Sequence, residues 1–380
     1  MRAVYAFSGD PITNGHLDIV RRAAATYASL TVVVGDNPAK SGRYLFNVEE
    51  RLALTARALA DLENVTCQRF DGLLAEFAYR HGFDVVVRGV RHNGDLEDEM
   101  ILYRVNHSLH PSVDTVFLPA SPGLAHVSSG VVKALVSEGG DVSGYCPLAI
   151  KEALERKILG RYTVGIAGGI AAGKSTIAAK LVTMLKFRGV AATHISLDAV
   201  GHFVLGTSPE TIYCETRRRI VERFGAQVEC ADGSIDRKVL GPMVFADSAA
   251  LQELNQLMHE PILARLYDET RTIAKGVLLI EGAILVEANW TKLVNHNLVL
   301  VDASEEVRQA RLVERGETAE SARKKLERQL GSTERSRIMA DRVASDNWGQ
   351  IWEVDTDLPP NLEALADTLQ RRLAAPMVAG

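Results

Sequence analysis

Cysteine is scarce in this 380-residue chain, and its scarcity removes two function classes at once. The four residues, Cys67, Cys146, Cys214 and Cys230, are scattered with no C-x-x-C pair. Neither a zinc site nor a disulfide framework is expected. They read as packing thiols of a cytoplasmic protein. Surplus positive charge is missing too. The formal net charge is −5, which argues against bulk binding to nucleic acid or to a membrane. Any anion must then be held by a local site. No apolar run is long enough to span a bilayer, and Met1 runs straight into Arg-Ala-Val-Tyr-Ala-Phe, a first strand rather than a leader. Repeats and low-complexity segments are absent. What remains is globular material, 47% hydrophobic and 24% charged, in a length that suits two domains.

Strand and helix patterns alternate almost throughout. Strands are expected at 2–7, 29–35, 65–69, 84–88 and 114–118, with helices at 15–28, 47–61, 72–81, 94–109, 128–138 and 147–159. Asn47 with Glu50 three residues on makes a capping box, Ser128 starts a helix, and Pro147 and Gly160 bound the last one. Val-rich runs between amphipathic helices predict a parallel sheet covered on both faces. A second series begins with strand 162–167, helix 174–188 and strand 192–197. A helical stretch follows from about 209 to 274, then strands 277–281 and 297–302 and Arg-rich helices at 304–315 and 318–330. The expected fold class is α/β in two domains, 1–160 and 162–380, each with a parallel sheet.

Two stretches carry phosphate chemistry. Thr13-Asn14-Gly15-His16 joins the first strand to the first helix, where backbone N–H groups and the positive helix end face an anion. His16 on the first turn reaches the same place. Arg88-Gly89-Val90-Arg91 follows a buried strand at the end where open sheets bind ligands. Near mid-chain, Gly168 to Ser175 is a full G-x-x-x-x-G-K-S phosphate loop, flanked by the strand and helix it needs. Gly168, Ala171, Ala172, Gly173 and Thr176 belong to its ATP cradle, Lys174 reaches the β/γ oxygens, and Ser175 holds Mg²⁺. Asp198, after strand 192–197, is a carboxylate able to take a proton from an acceptor hydroxyl.

Residues 1–158 resemble phosphopantetheine adenylyltransferases. The resemblance rests on Asp10 to Asp18, Asn37-Pro38-Ala39-Lys40, Phe46 to Arg51, Arg88 to Arg91, Asp95 to Met100, Asn106 and Val127-Ser128-Ser129. It implies a Rossmann-like nucleotidyltransferase that joins 4′-phosphopantetheine to the AMP part of ATP. By the same resemblance His16 would contact the α-phosphate, and Lys40 the attacking phosphate with Arg88 and Ser8 beside it. Arg91 would hold the β/γ-phosphates with Ser128 and Ser129. Leu74, Glu99 and Asn106 would line the pantetheine and nucleotide pockets, and Gly9 and Gly89 the ATP site. The chain departs from the family's usual Gly-Thr-Phe-Asp-Pro in reading Phe7-Ser8-Gly9-Asp10-Pro11, with the glycine moved from 7 to 9.

Residues from about 162 to 350 resemble dephospho-CoA kinases. The matching pieces are Ser196 to His202, Ile235 to Gly241, Leu257 to Ile262, Ile280 to Glu287, and Val301-Asp302 with Arg311 to Arg315. The details are closest to the kinase half of bifunctional coenzyme A synthases. The resemblance implies a P-loop kinase with a helical substrate-binding region and a lid. Asp198 would be the base for the ribose 3′-hydroxyl, Arg315, at the start of the lid, would stabilise charge on the transferring phosphoryl group, and Glu281 would order Mg²⁺ through water. Glu260 separates His259 from Pro261 where the family commonly has His-Pro, so His259 is as suited to a cap as to substrate.

Together these readings predict the last two steps of coenzyme A formation, with ATP, 4′-phosphopantetheine, dephospho-CoA and CoA as ligands, Mg²⁺ as cofactor, and no nucleic-acid or membrane partner. Homo-oligomerisation is left open by the sequence. Two alternatives stand beside it: a P-loop kinase half acting on another hydroxyl, and a nucleotide-binding regulatory protein.

Overall fold

Val- and Ala-rich runs form strands, and the amphipathic segments between them form helices. The computed structural model describes residues 1–36, 42–273, 275–327 and 329–375, with the side chains at 245, 246 and 248 outside the description. The chain divides into two compact units, Met1–Leu159 and Gly160–Leu373, the first also taking in Ala374 and Ala375.

In the first unit the order is β1 (Arg2–Phe7), α1 (Asn14–Thr26), β2 (Ser29–Val34), α2 (Val48–Ala58), β3 (Val65–Arg69), α3 (Leu74–Arg80), β4 (Val85–Val90), α4 (Asn93–Leu109), β5 (Asp114–Pro119), α5 (Ser129–Ser137) and α6 (Leu148–Leu154). The five strands form one parallel sheet in the order β3-β2-β1-β4-β5. Alternate residues of β1 enter different cores: Ala3 and Tyr5 lie on one face, Val4 and Ala6 on the other. Both faces are therefore covered, as the unbroken apolar runs require. Strand order reverses between β1 and β4, which puts a crevice at their carboxyl ends.

The second unit runs β6 (Arg161–Gly168), α7 (Lys174–Phe187), β7 (Ala192–Ser196), α8 (Leu197–Leu205), α9 (Thr211–Phe224), α10 (Arg237–Ala246), α11 (Ser248–Arg271), β8 (Gly276–Glu281), α12 (Ile284–Glu287), β9 (Asn297–Asp302), α13 (Glu305–Glu314), α14 (Ala319–Glu327), α15 (Ser332–Asp346), β10 (Gln350–Asp355) and α16 (Glu363–Ala374). Its parallel sheet has the order β10-β9-β6-β8-β7. Leu278, Ile280, Leu298 and Leu300 face one core, while Val277, Leu279, Val299 and Val301 face the other.

Three local expectations change. The helix expected at 147–159 is α-helical only over Leu148–Leu154 and continues as a wider, π-type turn over Glu155–Leu159. Pro147 caps it from outside, where its missing N–H is not needed, and Gly160 stops it at φ +63°. The strand expected to reach 197 ends at Ser196, because the Ser196 hydroxyl accepts the Ala199 N–H at 3.4 Å and starts α8. Asp198 thus sits on the first turn of α8 rather than at a strand end. Strand β10 and helices α8, α15 and α16 were not expected. Among the described residues no helix is long and apolar enough to cross a membrane.

Candidate active sites

In the first unit the chain leaves β1 at Phe7 and must turn before α1. Gly9 makes that turn at φ +63°, which explains a glycine at 9. Asp10, 4% exposed, accepts the Leu45 N–H at 3.1 Å and the Phe46 N–H at 2.9 Å, and pairs with Lys133 at 2.6 Å. Arg51, 1% exposed, donates to the Ser8 carbonyl and to the Gly35 carbonyl at 3.0 Å, and pairs with Asp36. Asp10, Arg51 and Lys133 hold the loop in shape. Their roles escaped the sequence reading, because the partners lie up to 123 residues away.

Thr13, fully buried, caps α1. Its N–H reaches His16 Nδ1 at 3.1 Å, and its Oγ1 lies 2.9 Å from the same nitrogen. A backbone N–H only donates, so Nδ1 is the acceptor and the neutral ring carries its proton on Nε2. The Phe7 ring, 4.9 Å away between centroids, packs beside the imidazole.

Arg88 stands near the carboxyl end of β4, with Gly89 next to it and Arg91 just beyond. Arg88 Nε donates to Glu99 at 2.6 Å, its Nη2 to the other carboxylate oxygen, and its Nη1 to the Ala6 carbonyl at 2.9 Å. Burial opposes the Arg88 charge, but the Glu99 contacts prevail and its pKa is raised. Arg91 is bound to Asp95 through Nε at 2.8 Å. Asp95 is held below the usual carboxylate range, the Arg91 contacts overcoming its desolvation. Tyr5 on β1, pushed up to about 12 chiefly by burial, feels the charges of Arg88, Glu99 and Arg91 together. Arg88, tied to the Ala6 carbonyl of β1, sets itself and Glu99 beside that strand. Ser128 caps α5 through the Val131 N–H at 3.2 Å, and the Ser129 hydroxyl donates to the Pro11 carbonyl at 2.7 Å. Leu74, first in α3, packs against the core of Val4 and Ala6, while Asn106 is half-buried on α4. Ser8 is half-buried beside Gly9. Lys40, with Asn37 to Ala39, lies outside the described residues.

In the second unit the phosphate loop runs from β6 to α7. Its outer polar groups are tied one by one. The Ile170 carbonyl accepts Arg308 Nε at 3.0 Å, the Ala171 carbonyl Arg311 Nη1 at 3.1 Å, and the Ala172 carbonyl the Thr356 hydroxyl at 2.7 Å. A trans peptide points its C=O and the next N–H in opposite directions. Holding those three carbonyls outward aims the N–H groups of Ala171 and Gly173 inward, as in an anion cradle, while the Ala172 N–H donates to the Gly169 carbonyl at 3.3 Å. Ala171 keeps φ +58°, uncommon without glycine, and is packed with Leu312, Ala322 and Leu326.

Inside the loop, Lys174 is 9% exposed and its Nζ donates to the Gly169 carbonyl at 2.9 Å. Burial lowers its pKa, opposed by Glu281 and Asp198. The Ser175 hydroxyl donates to Glu281 Oε1 at 2.8 Å, and His194 Nε2 lies 3.0 Å from Oε2. Burial presses the Glu281 carboxyl upward, yet the His194 and Ser175 hydrogen bonds leave it below the usual range. A hydroxyl and a carboxylate are hard oxygen donors, and two of them suit a Mg²⁺-type cation shared with phosphate oxygens. Among the described residues, no larger His, Cys, Asp or Glu group is gathered around a metal position. Thr176 follows on the exposed side of α7.

Asp198 is exposed on α8, close enough to act electrostatically on both Lys174 and His202. Arg315 is not brought to the loop. It closes the end of α13 through its backbone N–H, and its exposed side chain makes no hydrogen bond or ion pair among the described residues. Arg311 and Arg308, one and two turns earlier, touch the loop instead. Arg335 was also missed. It is 2% exposed, its Nε donates to Glu287 at 3.0 Å, its Nη2 has no partner among the described residues, and its charge bears on Lys174. His259 packs edge-on against Trp290 and lies 3.3 Å from Glu260.

The family model described as dephospho-CoA kinase matches residues 162–352, and the cytidylyltransferase-like model matches residues 8–134. A phosphopantetheine adenylyltransferase of Actinobacillus pleuropneumoniae serotype 3 (strain JL03) is 42% identical over 154 residues, which are 40% of this chain and 96% of that protein. Proteins of the same name from Haemophilus ducreyi and Syntrophotalea carbinolica are each 39% identical. They cover 40% and 41% of this chain, and 94% and 92% of their own lengths.

Proposed function

We propose two consecutive reactions, from the premise that this chain belongs to the dephospho-CoA kinase family through its second half and to the phosphopantetheine adenylyltransferase family through its first. It is a bifunctional enzyme of coenzyme A biosynthesis. In the first reaction a phosphate oxygen of 4′-phosphopantetheine attacks the α-phosphorus of ATP. The bond to the β-phosphate breaks, and dephospho-CoA and pyrophosphate leave. No strong base is needed, only donors and cations that follow the developing charge. His16 serves here through Nε2–H, aimed by Thr13. Arg88, with its plane fixed by Glu99, and Lys40 take the attacking phosphate. Arg91 takes the β/γ-phosphates with Ser128 and Ser129. Ser8, Gly9 and Gly89 border the nucleotide, and Leu74, Glu99 and Asn106 the pantetheine arm.

In the second reaction the ribose 3′-hydroxyl of dephospho-CoA attacks the γ-phosphorus of a second ATP. Asp198 takes the hydroxyl proton, the bond to the β-phosphate breaks, and CoA and ADP leave. The loop N–H groups and Lys174 hold the triphosphate. Enzymes of both families generally need a divalent metal. Ser175 and Glu281 would hold it here as Mg²⁺, and the ion would supply positive charge for the β/γ oxygens. Arg315, exposed at the end of α13, stabilises charge on the transferring phosphoryl group. The two catalytic domains are residues 1–160 and 162–380, and the free thiols suit a cytoplasmic enzyme.

The observation that carries the kinase reading is the Ser175–Glu281–His194 chain beside a loop whose carbonyls at 170, 171 and 172 are each tied by Arg308, Arg311 or Thr356. ADP release measured with dephospho-CoA, and separately with a nucleoside, tests it. Turnover with dephospho-CoA supports it, whereas turnover only with the nucleoside transfers the kinase to another hydroxyl.

A further inference from the structure

One peptide plane in the phosphate loop is held from both sides. The Gly169 carbonyl accepts Lys174 Nζ at 2.9 Å and the Ala172 N–H at 3.3 Å. The other edge of the same plane, the Ile170 N–H, donates to Gln329 Oε1 at 2.7 Å. That oxygen also accepts Arg308 Nη2 at 3.1 Å, and Arg308 Nε holds the next carbonyl, of Ile170, at 3.0 Å. Gln329 follows α14 and lies 159 residues from Ile170 along the chain.

We propose that Gln329 is a positioning residue for the kinase: its side-chain oxygen fixes the Gly169–Ile170 peptide plane, and through it the place of Lys174 and the inward set of the loop N–H groups. The inference deepens the kinase reading above and rests on it. Glycine at 169 makes the pin necessary. With no Cβ, the backbone there rotates more freely than at any other residue type, and a peptide flip turns the carbonyl away from Lys174. The same glycine makes the pin possible, since a Cβ at 169 would collide with the Arg308 guanidinium that Gln329 orients. Apolar contact alone does not fix the plane. Ile170 packs on the cluster of Ala171, Leu312, Ala322 and Leu326, which places side chains but leaves the direction of an N–H open. A single acceptor serving both a backbone N–H and a guanidinium does fix it. The pin also ties the loop to the segment that closes α14, so the loop's shape depends on where that segment sits.

Gln329→Leu removes the acceptor at similar volume, and Gln329→Glu keeps it. The measurements are ATP affinity of the kinase site by calorimetric titration of the full chain fitted to two sites, amide hydrogen exchange over residues 168–174, and melting temperature. For Gln329→Leu the ATP dissociation constant is expected to rise about 3- to 10-fold, the scale of one hydrogen bond. Exchange over 168–174 should quicken, with little change in melting temperature. Gln329→Glu should return both readings close to wild type. Wild-type affinity and exchange in the leucine variant overturn the proposal. So does a glutamate variant as impaired as leucine, or a loss of melting temperature with unchanged ATP affinity. The titration needs no acceptor substrate. If the variants behave as expected while wild type fails to phosphorylate dephospho-CoA, only the substrate reading falls. A wild-type chain that bound no ATP would overturn both.

Discussion

His16 acts through a proton whose place is set by Thr13. With Nδ1 occupied by the Thr13 N–H, the proton of the neutral ring sits on Nε2, the end that would donate to a phosphate oxygen without any change of tautomer. His16→Ala should lower dephospho-CoA formation at least ~10²-fold, the usual scale for losing a transition-state donor. Phosphorylation of supplied dephospho-CoA should persist, and a near-normal first reaction would remove His16 from the chemistry. Asp198 differs, since it needs basicity rather than a donor. Asp198→Asn should cut transfer to dephospho-CoA by ~10²–10⁴-fold, the range for losing a general base. ATP affinity should hold, because Lys174 and the loop supply it. Full turnover in that variant would put the acceptor site elsewhere. His16 was legible because it opens a strand–turn–helix junction, and Asp198 because it follows the buried strand that comes after the phosphate loop. Arg51, Lys133, Gln329 and Arg335 were not. Their meaning lies in contacts with residues far along the chain, and a lone Gln or Arg on a polar stretch looks like any solvated residue.

Elements carry these residues to their places by caps and pins. The capping box of α2 was readable because Asn47 and Glu50 use the common residue types, and both of its hydrogen bonds are 2.9 Å. The cap of α8 was not, because Ile195-Ser196-Leu197 continues an apolar strand pattern and the hydroxyl alone ends it. Ser196→Ala should therefore destabilise the second unit by about 1 kcal/mol, the usual cost of a lost N-cap. It should also slow phosphoryl transfer severalfold by loosening the turn that bears Asp198. Unfolding in denaturant and steady-state turnover check both, and an unchanged midpoint would mean that the 3.4 Å contact contributes nothing. Strand β10 escaped notice for a related reason. It is an edge strand whose Ile351, Trp352 and Val354 are interspersed with polar residues, and only Val354 is buried. Helix α15 buries only Arg335 and Met339, so it carries no apolar stripe to read.

At the scale of the whole molecule, two parallel sheets each place a phosphate-handling turn at the carboxyl ends of their strands. The second unit also carries an acid-sensitive feature away from that turn. His296 is fully buried at φ +56°, with Nε2 2.8 Å from Asp346 and its Nδ1 without a partner among the described residues. Burial lowers its pKa, and the charges of Lys292 and Arg342 add to this against Asp346. A lowered histidine binds fewer protons folded than unfolded. Its stability contribution is present above its ordinary value of 6.5 and is lost as pH falls through the folded value. Asp346 and Glu281, both lowered, extend the loss into the carboxylate range. Melting of the second unit should fall between pH 7 and 5, and His296→Asn, which tolerates positive φ, should flatten that slope. An unchanged slope would remove His296 as its source. The central claim is that one chain performs both transfers. Its most direct test is a mass-spectrometric time course of wild-type enzyme with 4′-phosphopantetheine, ATP and Mg²⁺. The account predicts dephospho-CoA first and CoA after a lag, with one pyrophosphate and one ADP formed for each CoA. Accumulation of dephospho-CoA with no CoA, or no adenylylated product at all, would contradict it.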